Sequence, residues 1–295
     1  MLNEKETEKY MEAGRIVAGI REEFLKKIKP GDRLLSIAEE IEKQIIAAGA
    51  KPAFPVNISV NEVAAHFTPQ AGDTRTVGED DLVKIDVGAH IDGYIADLAF
   101  TWSKRPHPLV EASGKALEAG IKAIRPGVAV SEVSRAIYGA IQKSGFGPIV
   151  NLTGHSIGRY DFHGTFTIPN IENNSSYVLE EGDVVALEPF VCGTAGRVDE
   201  SGPVEIYQFV QKRPVRSMEA RKILELAEKD FGGLPFARRW LSGSFMPLKL
   251  SMALIELERT NAIRSYPVLK DMGGRKIAQS EDTIIVARKP IVTTR

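Results

Sequence analysis

Apolar residues recur at helical spacing from the start of the chain. Tyr10, Ala13, Val17, Ile20, Phe24 and Ile28 form one stripe, the period of an amphipathic helix facing a core. After Pro30-Gly31 a second stripe runs through Leu34, Ile37, Ile41 and Ile45 and ends at Gly49, where a helix C-cap belongs. The pattern then recurs. Residues 28–54 and 124–150 align without a gap at an offset of 96, with Pro126, Gly127, Gly145 and Pro148 falling on Pro30, Gly31, Gly49 and Pro52. Val130, Val133, Ile137 and Ile141 repeat the apolar positions, and a further helical segment, Ala116 to Ile124, precedes the second Pro-Gly.

After each helix pair the pattern shifts to short β-branched runs. DLVKIDVG (81–88) lies over DVVALEPF (183–190) at an offset of 102, which sets Asp86 over Glu188; His66 and His163 stand at an offset of 97. Gly and Pro punctuate most helix–strand folds, so some likeness between units is ordinary. A gapless match over 27 residues that also carries acidic residues into register is better explained by duplication. The fold class predicted is α/β (α+β): duplicated helix-helix-strand halves about a pseudo-two-fold axis, with helices outside a curved, mostly antiparallel sheet and polar residues on its inner face. Residues 1–295 read as a single catalytic domain. Within it, residues from about 195 to 265 break the symmetry and read as an inserted helical subdomain, with helices between 216 and 263 interrupted at Gly232-Gly233 and at 242–244. Arg238, Arg239 and Trp240 read as ordinary surface of that insertion rather than a nucleic-acid patch, and the charged helix at 217–230 as a solvated face.

Composition narrows the class without changing it. The chain has 295 residues, 43% hydrophobic and 26% charged, with a formal net charge of −1, which gives no global pull toward nucleic acid or an anionic membrane. No run of about 18 apolar residues is present to span a membrane. The charged opening MLNEKETEKY is no secretory signal, and the single cysteine, Cys192, excludes an internal disulfide framework and fits a reducing compartment. The cytoplasm is the expected location.

Three acidic residues stand in unusual surroundings. Asp86 and Asp97 lie inside strongly apolar strand patterns, and Glu188 sits between Ala186-Leu187 and Pro189-Phe190. A solvated carboxylate is the ordinary case, and a buried unpaired one is strongly disfavoured. Metal coordination accounts for all three. Of the five histidines, His90 reads as exposed near a turn and His107 as loop. Cys192 reads as a small buried hydrophobe.

HFTP after AFPVNIS, KIDVGAHIDGYIAD, GHSIGRYDFHG, ALEPF and AQSEDTII together resemble the methionine aminopeptidases of the pita-bread fold, over nearly the whole chain. The long stretch before the last motif resembles the type 2 enzymes, in an archaeal-type form. The resemblance implies a ligand set of Asp86, Asp97, His155, Glu188 and Glu281 for two divalent cations (Co²⁺, Mn²⁺, Fe²⁺ or Zn²⁺). Such a hard, oxygen-rich set suits these ions, and so many acidic groups converge only if cations neutralise them. It further implies that Asp97 and Glu281 bridge the metals, which lie roughly 3.5–4 Å apart in such sites and activate a hydroxide for attack on the first peptide bond. Glu188 would shuttle the proton, His163 would stabilise the oxyanion and His66 would contact the scissile amide. Phe54, Tyr266 and Phe162 would line the methionine pocket beside the two histidines. The implied activity is removal of the initiator methionine from nascent chains when the second residue is small. The enzyme would act on peptide N-termini, would come near the ribosome in that role, and would work as a monomer without nucleic acid or membrane. Ser280-Glu281-Asp282-Thr283 stands where the family usually reads Phe-Glu-His-Thr. It keeps an Xaa-Pro peptidase of the same fold as the alternative. A non-catalytic pita-bread binding module is the third reading, and it expects degraded ligand positions.

Overall fold

The computed structural model describes residues 2–295. Helix α1 (Glu4–Lys27) starts in a capping box, in which the Asn3 side chain accepts from Glu6 N at 3.0 Å and Asn3 N donates to Glu6 Oε2 at 2.9 Å. Its stripe buries Tyr10, Ala13, Val17, Ile20 and Phe24. Helix α2 (Leu34–Ala47) follows, then β1 (Lys51–Pro52), β2 (Asn57–Val60), β3 (Val63–Ala65), β4 (Val83–Ile91) and β5 (Tyr94–Trp102). β4 and β5 form a continuous hairpin, closed by Asp92 and Gly93 at φ 50° and 87°, the left-handed pair that a tight two-residue turn requires.

The second half repeats the order with α3 (Pro108–Ala123), α4 (Val130–Lys143), β6 (Gly147–Pro148), β7 (Thr153–Ser156), β8 (Thr167–Pro169), β9 (Val184–Leu187) and β10 (Phe190–Cys192). Gly31 and Gly127, the matched glycines of the two Pro-Gly pairs, have φ of 93° and 86°, a backbone that glycine adopts without a steric penalty. The chain continues through β11 (Val198–Phe209), α5 (Met218–Lys229), β12 (Phe236–Ala237), α6 (Arg238–Leu241), α7 (Pro247–Arg259) and β13 (Ile263–Asp271). It returns to the centre in β14 (Ile277–Gln279), β15 (Asp282–Ile285) and β16 (Ile291–Val292).

All named strand pairs among the described residues are antiparallel. Their orders are β1-β4-β2 with β5 on β4, β14-β10-β6, β12-β11-β13-β3 and β16-β15-β9-β7-β8. One core packs α1 and α2 on the first half's strands, a second packs α3 and α4 on β9, β10 and β14, and a third holds α5 and α7 against β11 and β13. The helices therefore cover one face of the curled sheet and leave the other to polar groups.

Two local expectations change. Residues 234–241 read as a helix, but Phe236 and Ala237 pair with Tyr207 and Ile206, and only Arg238–Leu241 is helical; strand pairing overrides local propensity there. Arg239 is not an ordinary surface residue. It is 8% exposed and its guanidinium meets the buried carboxylate of Glu42 on α2.

Candidate metal centre

Strand register carries the acidic residues to one face. Asp86 on β4 lies opposite Asn57 and Ala99, and Asp97 on β5 lies opposite Gly88. Residues two apart on a strand share a face, so both carboxylates point the same way. On the other side His155 pairs with Ala186, two residues before Glu188, and Asp282 pairs with Leu187, which brings Glu281 beside Glu188. Glu281 N also donates to Ala99 O at 2.8 Å, tying the two sides together. All five expected ligand residues line one cavity of about 230 Å³. Asp97, His155 and Glu281 each offer a ligand atom within 4.8 Å of the others. His155 Nε2 is 3.6 Å from Asp97 Oδ2 and 3.8 Å from Glu188 Oε1.

The electrostatics fit a cation. Burial pushes the Asp86 carboxyl up to about 7. Burial, then the neighbouring carboxylates, push Asp97, Glu188 and Glu281 well above the usual carboxylate range. Asp86 Oδ1, Asp97 Oδ1 and Glu281 Oε1 are buried without a hydrogen-bond partner, a state that proteins rarely tolerate without function. The imidazole is prepared as well. His155 Nδ1 meets Ser156 O at 3.2 Å, which assigns the ring proton to Nδ1 and turns the Nε2 lone pair toward Asp97 and Glu188, the tautomer a metal ligand needs. Burial lowers this histidine to about 4, so it is neutral at physiological pH. The donor set fits divalent metal.

The cavity walls carry the remaining expected residues. Phe54 and Phe162 lie with ring centroids 4.7 Å apart, Phe162 and His163 4.7 Å, His163 and Tyr266 6.1 Å, and Tyr266 and His66 5.3 Å. They form a continuous aromatic string. Gly88 makes room for it, because a Cβ there would fall 2.4 Å from Phe54 Cε1. His66 has φ 62°, a left-handed backbone that is strained for a residue with a Cβ. Its Nδ1 meets Pro267 O at 3.2 Å, and burial holds it down to about 4. His163 lines the cavity and is exposed, its ring 4.6 Å from that of His155.

Several site residues escaped the sequence reading. Gln279 Nε2 donates to Glu281 Oε2 at 3.2 Å and to Glu188 Oε2 at 3.5 Å. Thr283 Oγ1 accepts from Asp97 N at 2.7 Å and donates to Asp97 O at 2.8 Å. Asn170 Nδ2 donates to Glu188 O at 3.1 Å. Gln279 was accessible in principle, since it ends β14 two residues before Glu281. His90 is not exposed. It is 5% accessible, its Nδ1 accepts from Gly93 N at 3.0 Å, and it packs on Tyr160. His107 caps α3, accepting from Leu109 N at 3.2 Å, and Cys192 is buried. Asp282, the departure in the last motif, points away from the cavity. Buried on the opposite face of β15, it accepts from Arg21 Nη1 at 3.2 Å, Thr294 Oγ1 at 2.7 Å and Arg295 Nε at 2.8 Å.

A buried cluster of Asp, His and Glu on the inner face of a duplicated helix-and-sheet fold defines a metallohydrolase of the pita-bread class. The family model for metallopeptidase family M24 matches residues 8–237, and the chain belongs to that family. Archaeal relatives agree over nearly full length. A methionine aminopeptidase of Thermococcus onnurineus is 47% identical over 288 residues, covering 96% of this chain and 97% of its own. One of Methanocaldococcus jannaschii is 41% identical over 291 residues, covering 98% of each. Among solved structures, a thermophilic Arx1 superposes with a TM-score of 0.86 at 17% identity, covering 99% of this chain and 91% of its own. Methionine aminopeptidase from Thermotoga maritima gives 0.71 at 24% identity, covering 100% and 98%. At these identities the structures show the fold alone. Among the described residues no helix is long and apolar enough to cross a membrane.

Proposed function

We propose that this chain is a methionyl aminopeptidase that removes the initiator methionine from nascent proteins whose second residue is small. The reading rests on one observation above all: five ligand-type side chains from both halves line one cavity with an aromatic string that passes through His163 and ends at His66. The M24 membership and the named relatives agree with it. Asp282 does not favour the proline-cleaving alternative, because its carboxylate is spent on Arg21 and Arg295 behind the strand.

In this reading the chain works as one catalytic domain, with the stretch from about 195 to 265 as its inserted subdomain. Asp86, Asp97, His155, Glu188 and Glu281 hold two divalent cations, of which Mn²⁺, Fe²⁺, Co²⁺ and Zn²⁺ all suit the donors. When bound, the cations polarise the scissile carbonyl and make the attacking water acidic. Glu188, which keeps 16% side-chain exposure, takes that proton on its side-chain oxygen and hands it to the leaving amine. His163 donates a hydrogen bond to the oxygen that becomes negative. His66, with its proton on Nδ1, offers Nε2 to the scissile amide. Phe54, Phe162 and Tyr266 receive the unbranched thioether. The partners are peptide N-termini in the cytoplasm, met at or near the ribosome, and the enzyme acts as a monomer.

The test compares Met-Ala-Ser, Met-Pro, Met-Leu and Ala-Pro peptides at equal concentration after reconstitution with Mn²⁺, Co²⁺, Fe²⁺ or Zn²⁺. Cleavage of Met-Ala-Ser and Met-Pro but not Met-Leu is expected. A preference for Ala-Pro moves the chain to the proline-cleaving branch, and no turnover of any peptide with metal bound sinks the reading.

A further inference from the structure

We infer that Arg239, which lies in the segment between β11 and β13, is a positioning residue for His66: it locks the loop that presents the imidazole to the cavity. The inference rests on the role proposed for His66. Besides the backbone bond from Ile58 N to Phe67 O at 2.7 Å, two anchors from the 198–271 stretch flank that residue. On one side, Ala65 pairs with Leu269 and His66 Nδ1 meets Pro267 O, both on β13. On the other, Arg239 Nη1 donates to Thr68 Oγ1 and, at 3.3 Å, to Pro69 O.

Arg239 is itself held in a closed ring. Its Nη2 donates to Glu42 Oε1, which also accepts from Val56 N at 3.1 Å, and Thr68 Oγ1 donates to Val56 O at 2.7 Å. Trp240 Nε1 fixes the other Glu42 oxygen at 2.9 Å. Glu42, Val56, Thr68 and Arg239 are all buried. A left-handed non-glycine residue persists only where its surroundings over-determine it, and this ring fixes the chain two residues beyond His66. An ion pair that only docked the segment onto α2 would need Glu42 alone. The donations to Thr68 and Pro69 tie it to the His66 loop.

The experiment uses the full chain loaded with Mn²⁺ and Met-Ala-Ser as substrate. Glu42→Gln combined with Arg239→Met removes the guanidinium without stranding a buried carboxylate. It is expected to lower kcat by about 10- to 100-fold, the scale of a misplaced catalytic group, with metal content unchanged. The deciding measurement is a cycle with His66→Ala. If Arg239 acts through His66, the same pair of changes made in His66→Ala lowers kcat by less than about twofold; losses that multiply overturn the inference. Thr68→Val, which leaves the Arg239–Glu42 pair intact, repeats the cycle should the double variant not fold, and multiplying losses there overturn it equally. Arg239→Lys keeps the charge without the fork and is expected to recover only part of the rate; full recovery overturns the inference. A His66→Ala enzyme that itself turns over normally sinks the role proposed for His66, a result separate from additivity in the cycle.

Discussion

The two halves make the same scaffold bonds and supply different chemistry. Gly31 N donates to Val77 O at 2.8 Å and Gly127 N to Leu179 O at 2.8 Å; Leu34 N reaches Arg75 O at 3.0 Å and Val130 N reaches Tyr177 O at 2.9 Å. Gly78 N is caught by Asp81 Oδ2 at 2.7 Å, as Glu180 N is by Asp183 Oδ2 at 2.9 Å. The halves part at the centre. The first presents Asp86 and Asp97 on an unbroken hairpin. The second breaks between β9 and β10 at Glu188-Pro189, where proline cannot donate to a ladder, and it supplies an imidazole in place of a second aspartate. Asp97 is accordingly enclosed, at 3% side-chain exposure, whereas Glu188 keeps 16%. Bonds made by backbone survive divergence of sequence; side chains that differ between the copies carry the asymmetry a reaction needs.

The comparison breaks most sharply at the ligands. Glu281→Gln or Asp97→Asn, at the two residues that the resemblance makes bridging ligands, should weaken metal binding by more than about 100-fold, beyond what loss of an outer partner does, and remove turnover with it. Asp86→Asn, a change at a non-bridging residue, should chiefly weaken one of the two metals proposed above. Titration calorimetry with elemental analysis reads both, and equal stoichiometry across the three variants would falsify the bridging assignment. Next come the matched histidines. His66→Ala and His163→Ala should each lower kcat by about 10²–10³ with both metals retained, the usual worth of one such donor. A tenfold or larger difference between them on Met-Ala-Ser would end the idea of balanced roles.

A pH experiment probes the first half's Asp86, whose charge also raises Asp97, Glu188 and Glu281. Asp86 is held at about 7 in the metal-free fold, above its ordinary value, so the folded state binds more protons than the unfolded one. Its contribution is present in full below about pH 4 and is lost as pH rises through 7. In chelator, wild type and Asp86→Asn should unfold at similar temperatures near pH 4, and the variant should become the more stable above pH 7. Calorimetric scans that stay parallel across this range contradict the assignment. The smallest effect is the most symmetric: Gly31→Ala and Gly127→Ala each force a Cβ into a left-handed backbone at a destabilisation of about 1–2 kcal/mol. Denaturant midpoints should fall by matching amounts, and a shift in only one variant would show that the two turns are not equivalent.

Most of this arrangement was legible as pattern. The stripes through Tyr10–Ile28 and Leu34–Ile45 are α1 and α2, and alternation along β4 and β5 is enough to place Asp86 and Asp97 on a common face. Other features depend on contacts between residues far apart in sequence. Arg239 reads as surface because its partner, Glu42, lies 197 positions away. His90 reads as a turn residue because Tyr160, which covers it, belongs to the other half. Asp282 beside a ligand looked like a change in the site, and only the strand's alternation together with Arg21 and Arg295 reveals that it faces the back.

That rear clamp has a consequence for timing. Arg21 and Asp282 are separated by 261 positions, so a helix made early in the chain grips the first residue of β15, next to Glu281, which is made late. Contacts of such long sequence separation form slowly, because a long loop must close before they give any return. The metal centre is therefore among the last parts of the molecule to become whole. A cation captured by the full set reports that the two distant ends of the fold have already met.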